Sequence, residues 1–151
     1  MGRVFGGIDP GKHGGWAVIF EDEGKIEVFP WDDKKFVQYM QNLPASGSNC
    51  RFALEKVGSM PKQGIVSTWR FAENFGMIQG VLQALNIPYQ LVPPQTWKKE
   101  FSLIHQDKSK SVETAQRLFP NVNFLPTEKS RKPSDGMAES VLICEFARRK
   151  L

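Results

Sequence analysis

The chain predicts an α/β fold, a mixed five-stranded sheet of three antiparallel strands followed by parallel strands, flanked by helices. Two observations carry this. The first 30 residues hold three short apolar segments separated only by tight turns. From Asp33 onward, strand patterns alternate with helical ones. The 151 residues show no internal repeat, low-complexity tract or linker, so residues 1–151 are expected to form one domain. An apolar content of 40% is enough for a proper core.

Taken in order, Arg3 to Asp9 reads as a strand, PGKHGG as a tight turn and Trp16 to Phe20 as the second strand. Lys25 to Phe29 alternates charged and apolar residues after a turn at Gly24, giving a third. Asp33 to Leu43 is a short helix stopped by Pro44, and Arg51 to Glu55 is the fourth strand. The longest helical pattern runs from about Gln63 to Leu85, with Ile65, Trp69, Ala72, Phe75, Gly76, Leu82 and Leu85 at helical spacing. Gly76 and Gly80 either let another backbone approach closely, such as that of a partner subunit, or are simply tolerated. Tyr89 to Val92 is a fifth strand closed by Pro93 and Pro94, and PPQTWKKEF opens a short helix with Pro in its first turn. Lys108 to Phe119 is another helix, stopped by Pro120. After a polar loop, Ser134 can cap a final helix, DGMAESVLICEFARR.

No apolar run approaches the roughly 18 residues that span a membrane, and the N-terminus lacks a signal-peptide pattern. An intracellular, cytoplasmic protein is expected. Cys50 and Cys144 sit in apolar contexts without metal-ligand spacing and read as buried free thiols, which suits a reducing compartment. Net charge is +4 with pI near 9.1, permitting a polyanionic partner. The placement of the charge says more. Lys56, Lys62 and Arg70 follow the fourth strand, Lys98 and Lys99 follow the Pro-Pro corner, Lys108 and Lys110 open a helix, and Lys129, Arg131 and Lys132 precede Asp135. Each cluster falls where phosphates would pass, or is an ordinary solvated face.

Four acidic residues carry the functional reading. Asp9 and Glu55 end two strands; Asp135 and Glu139 lie on the last helix. At about 100° per residue, Asp135, Glu139, Leu142 and Phe146 fall within roughly 60° of one another. The two carboxylates therefore continue the stripe expected to face the core, with solvated charges on the opposite face. Burying them is costly unless a cation or a proton compensates. Phosphodiester hydrolysis needs an activated water, a stabilised leaving oxygen and compensation for charge at phosphorus, and two Mg²⁺ ions about 4 Å apart supply all three. Mg²⁺ prefers oxygen ligands. The two histidines, His13 and His105, are too few for a typical His-rich zinc site. The PGKHGG turn lets backbone approach a phosphate, and His13 either touches substrate there or is a plain turn residue. A DxG turn also serves actin-like and sugar-kinase-like ATPases, whose two lobes make much longer chains.

With these pieces assembled, the chain resembles the RuvC-like Holliday junction resolvases of the RNase H-like superfamily, especially the phage-type and chloroplast members. The matching segments are GIDPGKHGG, LEKVGSMPKQG, LVPPQTWKKEF, DKSKSVETAQRLFP and DGMAESVLICEFARR, in the family order and over most of the chain. The resemblance implies a homodimeric endodeoxyribonuclease with two Mg²⁺ per active site, Mn²⁺ substituting. It implies symmetric nicking of four-way DNA junctions to leave 5′-phosphate and 3′-hydroxyl ends, in DNA recombination and repair. Asp9, Glu55, Asp135 and Glu139 would be its catalytic metal ligands. Bacterial members space the last pair three apart and end it in Asp. Here the spacing is four and the second acid is Glu, as in the chloroplast-like branch, and both spacings keep one helix face. Bacterial members also carry an aromatic wedge after the residue matching Glu55. This chain has VGSMPKQG, where Met60 is the large apolar candidate, as a wedge or as packing. Lys56, Met60, Lys62, Gln63, Lys98, Lys99, Lys129, Arg131 and Lys132 are the candidate DNA contacts, and Lys132 the candidate to orient water or stabilise charge. The same centre also suits a nuclease for flaps, forks or RNA–DNA hybrids, and the fold suits a catalytically idle DNA-binding module. Four intact acids speak against the last.

Overall fold

The computed structural model describes residues 2–44, 49–56 and 64–151. Its sheet has the order β3–β2–β1–β4–β5. The strands β1 (Val4–Asp9), β2 (Gly15–Phe20) and β3 (Lys25–Pro30) form the expected antiparallel meander, with Asp9 opposite Gly15 and Phe20 opposite Lys25 at the two hairpins. β4 (Cys50–Glu55) runs parallel to β1, and β5 (Tyr89–Val92) parallel to β4. A parallel neighbour cannot be reached through a hairpin, and the crossovers are made by α1 (Asp33–Gln41) and α2 (Ile65–Ala84). α3 (Pro94–Glu100), α4 (Lys108–Leu118) and α5 (Asp135–Lys150) follow. Sequence and structure agree on every element, to within a residue or two at the ends. Ser134 caps α5 as predicted, its hydroxyl accepting from the Met137 N–H at 3.1 Å.

Two apolar layers cover the sheet. Phe5, Ala17, Ala53 and Val92 pack with Trp97, Ala115 and the length of α5. Ile8, Trp16, Val18, Phe52 and Leu54 point the other way, toward Phe36 and Met40 of α1 and Ile78 and Leu82 of α2. Because both faces are covered, the central strands read as nearly continuous apolar runs.

Two expectations are corrected. α5 has no solvated flank over its middle: every residue from Gly136 to Ala147 is buried. The helix lies on β1, β2 and β4 and is covered by α4, so it meets protein on more than one side. Gly7 permits that approach, since a Cβ there would stand 2.2 Å from the Cys144 nitrogen. The second correction concerns α2, whose seven recurrent positions divide between two faces. Leu82 is buried, whereas Ile65 and Trp69 are 88% and 69% exposed, with Val66 at 64% beside them. No helix among the described residues is long and apolar enough to cross a membrane.

Candidate functional site

The β1–β4 register builds the first half of the site. Ile8 pairs with Leu54, so Asp9 and Glu55, the next residues, end adjacent parallel strands side by side. Side chains alternate along a strand. Asp9 therefore shares its face with Phe5, and Glu55 with Ala53, both on the side covered by α5. α5 supplies the second half. Its first turn is seated on the turn that follows Asp9: a Cβ on Gly136 would stand 2.1 Å from the His13 carbonyl oxygen. That seat puts Asp135 at the rim, half-buried, and carries Glu139 inward, where it is buried like Glu55.

The acids share one electrostatic field. Burial holds the Asp9 carboxyl well above the usual carboxylate range, reinforced by the charges of Glu55 and Glu139 and by a side-chain hydrogen bond with Glu55. Burial also pushes Glu139 up to about 7, with further contributions from Glu55 and, more weakly, Asp135. Lys108 opposes both shifts, and Lys98 opposes that of Glu139. Glu55 is fixed from the other side by a buried partner, the Trp97 indole, whose Nε1–H donates to Glu55 Oε2 at 2.7 Å. Lys98 Nζ stands 5.7 Å from the centre of the Trp97 ring system.

Asp9 and Asp135 line a cleft of about 450 Å³ together with Lys12, His13, Lys108 and Lys132, while Glu55 and Glu139 are buried outside its lining. A slightly larger hollow of about 490 Å³ lies between β2–β3 and α1. It contains none of the four carboxylates, and its Tyr39 hydroxyl already donates to Glu27 at 2.7 Å. The smaller cleft is the functional candidate because convergent charge, not size, is what chemistry requires.

The structure thus brings all four predicted acids together, along with Lys98 and Lys132. Lys56, Lys99, Lys129 and Arg131 are exposed but do not line the cleft. Met60, Lys62 and Gln63 lie outside the described residues. Lys12 and Trp97 were missed by sequence reasoning, and Lys108 was seen only as part of a charge cluster. Lys108 begins α4 immediately after its cap, Asp107. Its place on the helix was legible, but its aim toward Asp9 and Glu139 depends on how α4 packs.

Among the described residues, no three acidic, histidine or cysteine side chains are grouped closely enough to enclose a metal ion as they lie. The donor set nevertheless fits a hard divalent cation. It is oxygen-only, and burial, with the charge of the neighbouring acids added, makes two of them hold protons more tightly than free carboxyls do. A dication would compensate the same charge.

The sheet order and the carboxylates at its strand ends define an RNase H-like α/β fold. Among solved structures the fold is that of RuvC. The chain is similar to Thermus thermophilus RuvC in complex with Holliday junction substrate, with TM-score 0.63 and 13% identity over 98% of this chain and 97% of that one. It is likewise similar to a second Thermus thermophilus RuvC structure, with TM-score 0.62 and 14% identity over 97% and 96%. At such identities the likeness is one of fold. No protein-family model matches the sequence, and no curated protein matches it.

Proposed function

We propose that this protein is a Mg²⁺-dependent endonuclease that resolves four-way DNA junctions by paired symmetric nicks, leaving 5′-phosphate and 3′-hydroxyl ends. The observation that carries the reading is the Asp9–Glu55 pair beneath Glu139, opening past Asp135 into a cleft walled by lysines. The RuvC-like fold supports the same substrate class. Asp9, Glu55, Asp135 and Glu139 would hold two Mg²⁺ ions, or Mn²⁺ in their place. When bound, these supply an activated water and charge stabilisation at phosphorus. Lys12, Lys108 and Lys132 attract the scissile phosphate and offset its charge, and His13 stands within the same lining. The exposed cations Lys56, Lys99, Lys129 and Arg131 extend this field along the DNA backbone.

A four-way junction presents two equivalent strands related by a two-fold axis, which a homodimer with one site per subunit matches. The surface best suited to the second subunit is the outer face of α2. There Ile65, Val66 and Trp69 are exposed, and Gly76 and Gly80 have open space around them.

The test is a cleavage assay in Mg²⁺ and in EDTA on a mobile four-way junction, a splayed fork, linear duplex and an RNA–DNA hybrid. Paired symmetric nicks confined to the junction are expected. Equal cutting of forks or hybrids would make it a broader nuclease, and no metal-dependent cutting would leave a DNA-binding module.

A further inference from the structure

The turn after Asp9 is held from outside by a side chain of α2. The Gly11 N–H, two residues beyond Asp9, donates to Asn74 Oδ1 of α2 at 3.2 Å. Asn74 Nδ2 in turn donates to Asp33 Oδ1 at 3.1 Å, and the same oxygen accepts from Trp31 Nε1 at 2.7 Å. Four segments are tied by this one chain of hydrogen bonds: the Asp9 turn, α2, the first turn of α1, and the residue that leads out of β3.

The amide is chemically specified. Oδ1 must accept from a backbone N–H while Nδ2 donates to a carboxylate, which an ionised carboxylate or an apolar side chain of the same size cannot do. The turn also needs the support. Gly11 adopts φ +114°, a conformation that L residues rarely reach, and its internal closure comes from the Gly14 N–H donating to the Gly11 carbonyl at 3.0 Å. On the helix side, a Cβ on Gly11 would meet the Phe71 ring at 3.6 Å, and Phe71 stacks on Phe75. The buried residues of α2, Ile78 and Leu82, lie one to two turns beyond Asn74. The first half of the helix and the Asp9 turn are therefore registered against each other chiefly at Phe71 and Asn74.

We propose that Asn74 is a positioning residue for Asp9, the link through which α2 and α1 fix the turn that presents this carboxylate. The proposal rests on the metal-nuclease reading above, and it acts through backbone geometry rather than through contact with substrate.

The test uses the full chain without DNA: Mn²⁺ affinity by calorimetry and exchange of the Gly11 amide by NMR. Asn74→Ala should speed Gly11 exchange by about tenfold, the scale of one lost hydrogen bond, and weaken Mn²⁺ by about fivefold or more. Asn74→Asp keeps an acceptor for Gly11 but sets two carboxylates against each other, and should also weaken the metal. The swapped pair, Asp33→Asn combined with Asn74→Asp, keeps net charge. It restores the Gly11 bond and the link between the helices, the latter with its donor reversed: the amide moved onto α1 donates to the carboxylate moved onto α2. The Trp31 bond is given up, because the one Asp33 oxygen that accepts from both Asn74 and Trp31 becomes the donating nitrogen. The swap should return Mn²⁺ affinity to within about twofold of the parent, and all variants should stay folded at the temperature of the measurement. Unchanged Gly11 exchange in Asn74→Ala, or a swapped pair as weak as Asn74→Asp, overturns the proposal. A parent that binds no Mn²⁺ sinks the metal-site reading instead, and the exchange rates alone then decide whether Asn74 sets the turn.

Discussion

Each acid of the site is held by a different device, so each substitution has its own signature. Asp9 stands at a strand end and contributes charge. Asp9→Asn is expected to abolish Mg²⁺-dependent cleavage, beyond the roughly 10–100-fold typical of an outer-shell partner, while junction binding in a mobility-shift assay persists. Normal cutting by that variant would remove Asp9 from the metal site. Glu55 depends on Trp97, which is buried and donates to it. Trp97→Phe keeps an aromatic ring but takes away the donor. It should raise the Mg²⁺ concentration for half-maximal cleavage by about 10–100-fold, and saturating metal should recover most of the rate. If the metal requirement stays put, the indole serves packing only. These residues differ in how visible they were. Asp9 and Glu55 were legible because turn-formers and charge mark strand ends; Trp97 was not, because nothing local says that its N–H faces a carboxylate 42 positions away.

Among the elements, the two longest helices show where sequence periodicity stops being informative. Periodicity reports which residues share a face, not what covers that face. In α5 the sheet and α4 cover more than one side, so Ser140 and Glu145 are buried along with Val141 and Ile143. The Ser140 hydroxyl donates to the Met137 carbonyl oxygen at 2.7 Å, and Glu145 pairs with Arg148 and Arg149 at the basic end of the helix. In α2 the opposite holds: apolar Ile65, Val66 and Trp69 are left uncovered by the described residues. Exposing three large apolar side chains on one helix is unfavourable, and a second subunit would relieve it. Trp69→Glu should therefore shift a dimer to monomer in sedimentation velocity at micromolar concentration, with little change in helical circular dichroism. A wild-type chain that already sediments as a monomer would refute the assignment of this face. The strand directions needed no such knowledge of partners, because hairpin turns and helix-length gaps already separate antiparallel from parallel connections. The place of β4 beside β1, by contrast, is set by packing and comes from the structure.

At the scale of the whole molecule, the buried acids couple stability to pH in the direction opposite to ordinary paired carboxylates. Glu139 titrates near 4.5 when free and is pushed up to about 7 in the fold, and Asp9 is raised in the same sense. Between these values the folded chain binds more protons than the unfolded chain, so stability falls as pH rises through about 4.5 to 7. Glu100 and Asp107 move the other way, lowered by Arg149 and by Ser109 respectively, and act below that window. One pK unit is worth about 1.4 kcal/mol, so Glu139 alone accounts for on the order of 3 kcal/mol. For a chain of this size that corresponds to a melting temperature roughly 5–10 °C lower at pH 8 than at pH 5, measured in EDTA. Glu139→Gln should flatten the profile, chiefly by raising the melting temperature at pH 8. Adding Mg²⁺ should stabilise the parent at pH 8 and much less at pH 5, because protons and metal compete for the same oxygens. A flat profile in EDTA would mean the acids are relieved by some other route. A Mg²⁺ effect equal at both pH values would place the ion elsewhere on the protein. Together, a slope that Glu139→Gln removes and a Mg²⁺ shift confined to high pH would tie the metal to these carboxylates without any appeal to cleavage.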